Sequence, residues 1–269
     1  GHVCGRCPAC ERGDYLLCSE KVNLGLGYGY SGGFTKYCRI PGEILAIHKR
    51  AIWEIPEGLE YEEAAVMDPI CNAYKAIAQR SGLLPGENVV IFGTGPLGLF
   101  SVQIAKIMGA LNIVVVGLEE DVKVRFGVAR QLGATEVVNG SAEDVVQRCQ
   151  EICGGSDSIG LVVDCAGANI CLKQAIEMVR CNGEIVRVGM GFKPVGFSIN
   201  DISMKAVSII GHMAYDATSW RNALQLLAAG RIQVKPMITH RLGLSRWEEG
   251  FEAMANKEAI KVILTYDFD

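Results

Sequence analysis

Residues 88–98 read Asn-Val-Val-Ile-Phe-Gly-Thr-Gly-Pro-Leu-Gly. Asn88 to Phe92 is a short apolar run, the mark of a strand buried on both faces. The glycines that follow, Gly93, Gly95 and Gly98, form G-x-G-x-x-G. Three glycines in six residues are weak by themselves. Directly after a strand and opening a helix they become specific. Gly93 permits the tight turn, Gly95 lets backbone approach a pyrophosphate, and Gly98 lets helix and strand pack closely. The helix that begins here presents free N–H groups and a positive dipole end to phosphates. Gly93, Thr94, Gly95, Pro96, Leu97 and Gly98 are therefore the expected pyrophosphate cradle of a dinucleotide.

The same grammar continues downstream. Helical periodicity over Leu97–Met108 is followed by a buried strand at Asn112–Val116 and a helix at Val122–Leu132. A weaker strand at Glu136–Asn139 precedes a helix at Ala142–Ile152. Strands at Leu161–Asp164, Glu184–Val188 and Val207–Ile210 alternate with helices at Ile170–Arg180 and Thr218–Ala229. This alternation predicts a doubly wound parallel sheet with helices on both faces. The last forty residues read as turn-rich strands, a helix at Ser245–Ala255 and a strand at Lys261–Tyr266 that leaves the parallel sheet.

The second strand of such a sheet usually ends in an acid that holds ribose hydroxyls. Here Val116 is followed by Gly117 and then by Leu118-Glu119-Glu120-Asp121. Glu119, 21 residues beyond Gly98, is the candidate. Three acids in this loop repel a 2′-phosphate and favour NAD, although Lys123 and Arg125 nearby keep NADP open.

At the other end of the chain, Cys4, Cys7, Cys10 and Cys18 form a C-x2-C-x2-C-x7-C run. The short gaps let thiolates converge on one ion, and four protein ligands leave no coordination position for substrate. The run therefore reads as structural zinc. Paired disulfides are the plainer alternative, but no signal peptide precedes the cysteines and the total of eleven is odd. An iron–sulfur run usually ends C-x3-C-Pro, unlike Cys10 to Cys18.

Residues 1–50 otherwise look irregular. Gly25 to Gly33 holds five glycines and must be loop. Phe34–Ile40 and Ile44–Ile47 read as strands flanking a Pro41-Gly42 turn, and Tyr61 opens a helix. Net charge is −4, so no basic face recruits nucleic acid or an anionic membrane. No apolar run reaches the roughly 18 residues that span a bilayer. Eleven cysteines suit a reducing, cytoplasmic setting. The seven outside the run (Cys38, Cys71, Cys149, Cys153, Cys165, Cys171, Cys181) read as small buried hydrophobes.

The ordered set consists of the cysteine loop, Gly32-Gly33-Phe34, Asp68-Pro-Ile-Cys-Asn-Ala-Tyr-Lys-Ala76 and Gly-Thr-Gly-Pro-Leu-Gly. It resembles the zinc-dependent medium-chain alcohol dehydrogenases, closest to their polyol (sorbitol-like) and threonine branch. The resemblance implies a Rossmann domain beside a GroES-like, mainly β catalytic domain, divided as 1–75, 76–229 and 230–269. It implies a homodimer or homotetramer and a small-molecule alcohol substrate. It also implies a second, catalytic zinc that polarises an alcohol oxygen while hydride passes to NAD or NADP. By resemblance Asp68 takes the place of a catalytic-zinc ligand. Cys165-Ala166-Gly167 and Val188-Gly189-Met190 are expected to line the cofactor, and Lys261 to sit near its phosphates. The bland readings are a turn acid for Asp68 and a solvated lysine for Lys261. His2, His48 and His240 have no partner at ligand spacing, and His212 either faces the nicotinamide or is structural.

The family's other catalytic-zinc ligands are a Cys and a His of a Gly-His-Glu motif, both expected before the cysteine loop. Gly1-His2-Val3 lacks the Glu, so the chain reads as N-terminally truncated. That leaves a cofactor-binding module without turnover as the second reading. A zinc-ribbon nucleic-acid protein is a third, disfavoured by the acidic balance.

Overall fold

A computed structural model describes residues 3–21, 23, 25–47 and 51–268. In chain order the elements open with four short helices. These are α1 (Pro8–Glu11), α2 (Gly42–Ile47), α3 (Tyr61–Ala64) and α4 (Met67–Tyr74), the last running into a π-helical turn at Lys75–Arg80. Then come β1 (Asn88–Phe92), α5 (Pro96–Ile107), β2 (Ile113–Gly117), α6 (Arg125–Leu132), β3 (Glu136–Asn139) and α7 (Val145–Cys153). The second half holds β4 (Ile159–Asp164), α8 (Asn169–Met178), β5 (Glu184–Arg187), α9 (Ile199–Ser203), β6 (Ser208–Gly211) and α10 (Ala217–Ala228). The chain closes with β7 (Ile238–Gly243), α11 (Trp247–Ala255) and β8 (Lys261–Thr265).

Six strands make one sheet in the order β3-β2-β1-β4-β5-β6, parallel at every junction. That order is doubly wound, with the reversal between β1 and β4. Side chains alternate across each strand, so the apolar runs feed two cores. Val89, Ile91, Val115 and Val163 pack with α4, α5 and α10 on one face. Val90, Phe92, Val114 and Val162 pack with α7 and α8 on the other. The central strands β1, β2 and β4 are buried on both faces, which explains their near-continuous apolar character. β7 and β8 pair parallel in a separate two-stranded sheet, as expected for a strand that leaves the main sheet.

Polar groups fasten the layers. Gln103, buried on α5, donates to the Gln233 carbonyl at 2.9 Å and accepts the Gln233 N–H at 2.7 Å. The Lys205 ammonium donates to the carbonyls of Ile176, Glu177 and Val179 at 3.1, 2.6 and 3.1 Å. It thus caps the end of α8, where carbonyls lack helical partners and the dipole is negative.

The N-terminal third departs from the sequence reading. Residues 33–41 form no strand, and Gly42–Ile47 is a helix. Phe34 and Tyr37 are exposed, and no partner strand lies beside them among the described residues. Strand preference comes to nothing without a ladder to join. Pro41 and Gly42 start a helix instead of a turn, with Glu43 at its positive end. Cys38 and Cys181 are exposed, against the expectation of burial: the first lies in that unpaired segment, the second in the turn between α8 and β5.

A Cβ on Gly98 would lie 1.9 Å from the Gly93 carbonyl oxygen, so helix and strand must separate to admit it. Gly98→Ala is expected to destabilise the protein by about 1–3 kcal/mol, the usual scale of overpacking, read by urea unfolding. Lys205→Met strands three carbonyls at the end of α8 and is expected to cost about 1–2 kcal/mol in the same measurement.

Candidate functional site

The reversal of strand order places the ends of β1 and β4 side by side, with a crevice beyond their carboxyl ends. Gly93 turns the chain at φ +104°, a conformation that favours glycine, and its N–H bonds the Val116 carbonyl at 2.8 Å. Gly95 caps α5 in an extended conformation, and Pro96 occupies the first helical turn, where a missing N–H costs nothing. A Cβ on Gly95 would meet no protein atom within 4 Å. Of the two glycines, Gly98 is required by the fold and Gly95 faces open space.

That space is a cleft of about 440 Å³ lined by Gly93, Thr94, Gly95, Cys165, Ala166 and Asp121, among others. Of the sequence-predicted cofactor residues, the structure brings these five around it, Asp121 being an addition. Pro96, Leu97 and Gly98 form the helix start behind the turn. Glu119, Val188, Gly189, Met190 and Lys261 do not line it.

At the end of β2 the acids sort by position. Asp121 is buried, and its carboxylate accepts the Leu118 N–H at 2.9 Å and pairs with Arg125 at 3.3 Å. A Cβ on Gly117 would lie 2.9 Å from that carboxylate and 2.7 Å from Thr94, so glycine makes room for the acid. Glu119 turns to Asn139, whose amide donates at 2.6 Å. Glu120 pairs with Lys257, whose charge holds that carboxyl below its ordinary range. Arg125 and Lys257 both line the cleft and both already face a carboxylate.

The opposite wall depends on a buried carboxylate. Asp164, fully buried at the end of β4, accepts the N–H groups of Ala166 and Gly167 at 3.0 and 2.9 Å. Arg187 of β5 pairs with it and donates to the Gly167 carbonyl at 2.6 Å. The Val188 and Gly189 amides return to the Asp164 carbonyl at 2.9 and 2.7 Å. Gly167, at φ +76°, would put a Cβ 2.5 Å from the Met190 carbonyl oxygen. Val188, Gly189 and Met190 therefore brace the 165–167 turn from behind.

Asp68 sits exposed in the first turn of α4. Burial first, then the charge of the nearby Asp68 carboxylate, pushes the Tyr215 phenol above its ordinary range. The Asn72 amide reaches Asp68 one turn along, donating to its carbonyl at 3.0 Å and its carboxylate at 3.4 Å. Lys261 is half-buried nearby; burial lowers its ammonium pKa and the Asp68 charge opposes that shift. His212 contacts Asn72 through Nε2 at 3.1 Å, and burial, aided by Lys75 and Arg80, lowers its pKa to about 4. His2 and His48 lie outside the described residues, and His240 meets only Thr239.

The ligand atoms of Cys4, Cys7, Cys10 and Cys18 all lie within 4.8 Å of one another. Two Sγ–Sγ separations are 3.5 and 3.9 Å. A tetrahedral zinc with Zn–S of about 2.3 Å needs sulfurs about 3.8 Å apart, so the donor set fits. Backbone N–H groups of Cys10 and Ser19 lower the Cys7 thiol to about 6, while burial pushes the Cys10 thiol beside it up to about 12. Among the described residues this is the one group of three or more metal-binding side chains at ligand distance. Among the described residues Asp68 belongs to no such group, and those around it do not complete a catalytic zinc site.

Asp121, Asn72, Tyr215 and Arg187 escaped the sequence reading. Glu119 and Asp121 differ by two positions in one acidic loop, and only the void left by Gly117 selects between them. Tyr215 and Arg187 act across the fold, where no local spacing points to them.

Cys10→Ala is expected to release the bound zinc and lower the melting temperature, because metal binding is coupled to folding. Metal analysis beside calorimetry reads both. Asp164→Ala leaves Arg187 without its buried partner and is expected to cost about 3–5 kcal/mol. His212, neutral in the folded protein down to about pH 4, takes up a proton on unfolding below its ordinary 6.5. It therefore makes stability fall as pH drops from 6.5 toward 4. His212→Gln is expected to flatten that slope in melting temperatures measured across the window.

A family model described as zinc-binding dehydrogenase matches residues 96–229. The uncharacterized zinc-type alcohol dehydrogenase-like protein YdjL of Escherichia coli (strain K12) is 72% identical over 270 residues, covering 100% of this chain and 75% of that one. The sorbitol dehydrogenase of Halalkalibacterium halodurans is 31% identical, covering 98% and 73%. A solved structure from Sinorhizobium meliloti 1021, described as a zinc-binding dehydrogenase bound to NADP, superposes with a TM-score of 0.82 at 27% identity, covering 97% and 73%. With its glycine cradle at the strand reversal and its four-cysteine cluster, the chain belongs to the zinc-binding dehydrogenase family.

Proposed function

We propose that this chain is an oxidoreductase that passes hydride between a small secondary alcohol, a polyol or amino alcohol, and NAD. The observation that carries the reading is the open space above Gly95 beside a helix start that has no room for a Cβ at Gly98. Gly93, Thr94 and Gly95 hold the pyrophosphate, Asp121 faces the adenosine ribose, and the 165–167 turn shapes the nicotinamide side. When bound, the coenzyme accepts hydride from the alcohol carbon and the alcohol becomes a ketone. The hydroxyl proton leaves through the Asp68 end, where Tyr215, Asn72 and Lys261 gather. The relatives named sorbitol and L-threonine 3-dehydrogenase support the substrate class.

The choice of NAD over NADP rests on charge. Arg125 and Lys257 each face a carboxylate, and Glu119 remains without a cationic partner among the described ion pairs. The ribose end is left acidic, which disfavours a 2′-phosphate.

The same reading divides the chain at 75 and 229. Residues 230–269 return to the first segment through Arg241, which grips Glu62 at 2.7 and 2.8 Å, and through Lys235 to Glu60 at 2.7 Å. It extends to a homodimer or homotetramer, which the exposed edge strand β6 suits, and to a reducing cytoplasm, which eleven unpaired cysteines suit.

Gly95→Val is expected to leave the melting temperature nearly unchanged and to abolish coenzyme binding, because its Cβ meets no protein atom within 4 Å and the side chain occupies the place of the pyrophosphate. Fluorescence titration with NADH and NADPH tests both points. Retained affinity in the variant, or tighter binding of NADPH than NADH to the parent chain, overturns the respective assignment.

A further inference from the structure

We propose that Asn72 and His212 are positioning residues that hold the Asp68 carboxylate through one hydrogen-bonded chain, with His212 locked as the Nε2–H tautomer. The inference rests on the placement of Asp68 at the reacting end of the site.

The chain of deductions begins at Asn72. Its two amide ends are chemically distinct, and the neighbours decide which way they point. The nitrogen donates to the Asp68 carbonyl and carboxylate, which accept only. The oxygen must then face His212, where it lies 3.1 Å from Nε2. An amide oxygen accepts only, so Nε2 carries the hydrogen. The other ring nitrogen, Nδ1, is buried with no hydrogen-bond partner among the described residues. In the neutral ring it is a bare lone pair. A proton there would be a buried donor with nothing to receive it, at greater cost. Lys75 and Arg80, the charged groups that bear on the ring, disfavour a second proton as well.

Asp68 is exposed and on its own would sample several rotamers. The Asn72 amide, one turn along α4, limits that freedom, and it is itself held from the segment between β6 and α10. His212 belongs to the same segment; its own N–H bonds the Arg187 carbonyl at 3.1 Å. Tyr215 packs tilted against Trp220, ring centroids 5.4 Å apart, which anchors this segment on α10. One segment therefore grips Asp68 through His212 and Asn72. Through Arg187 it is also tied to the turn that walls the coenzyme cleft.

Nitrogen-15 NMR on histidine-labelled protein reads the tautomer directly. His212 is expected to show an unprotonated Nδ1 and a protonated Nε2 at neutral pH, and Asn72→Leu is expected to relax it to a tautomer mixture. A protonated Nδ1, a doubly protonated ring, or a tautomer indifferent to Asn72→Leu overturns the proposal. For function, His212→Leu is expected to lower kcat on the order of tenfold, the scale seen when a residue orienting a site ligand is lost. NADH affinity should stay within about twofold of the parent, as the coenzyme cleft is untouched. His212→Gln keeps a donor for Asn72 and should restore most of the rate. Unchanged kcat in His212→Leu, or no recovery in His212→Gln with both variants folded, overturns it too. If the leucine variant fails to fold, the tautomer of the parent protein decides. Absence of coenzyme binding to the parent chain would sink the dehydrogenase reading alone and leave the tautomer result standing.

Discussion

The contact between Gly98 and the Gly93 carbonyl sets the geometry from which the rest follows. No side chain can stand between helix α5 and the end of β1, so the helix starts against the strand. Its first N–H groups then open onto the strand-reversal crevice and not onto solvent at large. Eight of the twelve residues of α5 are buried, so the helix is core as well as binding element. A shift of the cradle is therefore a shift of the core, and close packing resists both.

Around that cradle the fold spends its buried charge on backbone. Asp164 and Arg187 do not face the cleft as ligands. They tie the turns after β4 and β5 to each other and hold the wall in one shape. An ion pair buried this deeply repays its desolvation only when further hydrogen bonds complete it. Here the Ala166 and Gly167 N–H groups and the Gly167 carbonyl do so. Asp121 plays the matching part at β2, filling the volume that Gly117 vacates. The two acids differ in what they offer a ligand: Asp164 is consumed by its network, whereas Asp121 lines the cleft.

The sequence disclosed the parallel sheet almost strand by strand, because strands buried on both faces carry unbroken apolar runs between recognisable turns. It disclosed the cysteine cluster because the spacing is local. It failed over residues 34–47, where alternating residues looked like strands but found nothing to pair with, so exposure of Phe34 and Tyr37 followed. The helix Met67–Tyr74 and its π-helical turn were passed over behind the motif they carry. The site divided along the same line. Glycines and cysteines act within a few residues of each other and were legible. His212 lies 140 positions from the Asn72 side chain that it bonds. Contacts of that separation exist only after folding.

Gln103 and Gln233 exchange both of their available bonds across 130 positions. One partner uses its side chain and the other its main chain, so drift at the two positions is lopsided. Almost any residue is tolerated at 233 except proline, which removes the N–H. At 103 only an amide both gives and receives at that reach. The asymmetry makes position 103 the more demanding half of the tie between α5 and the chain that leads into β7.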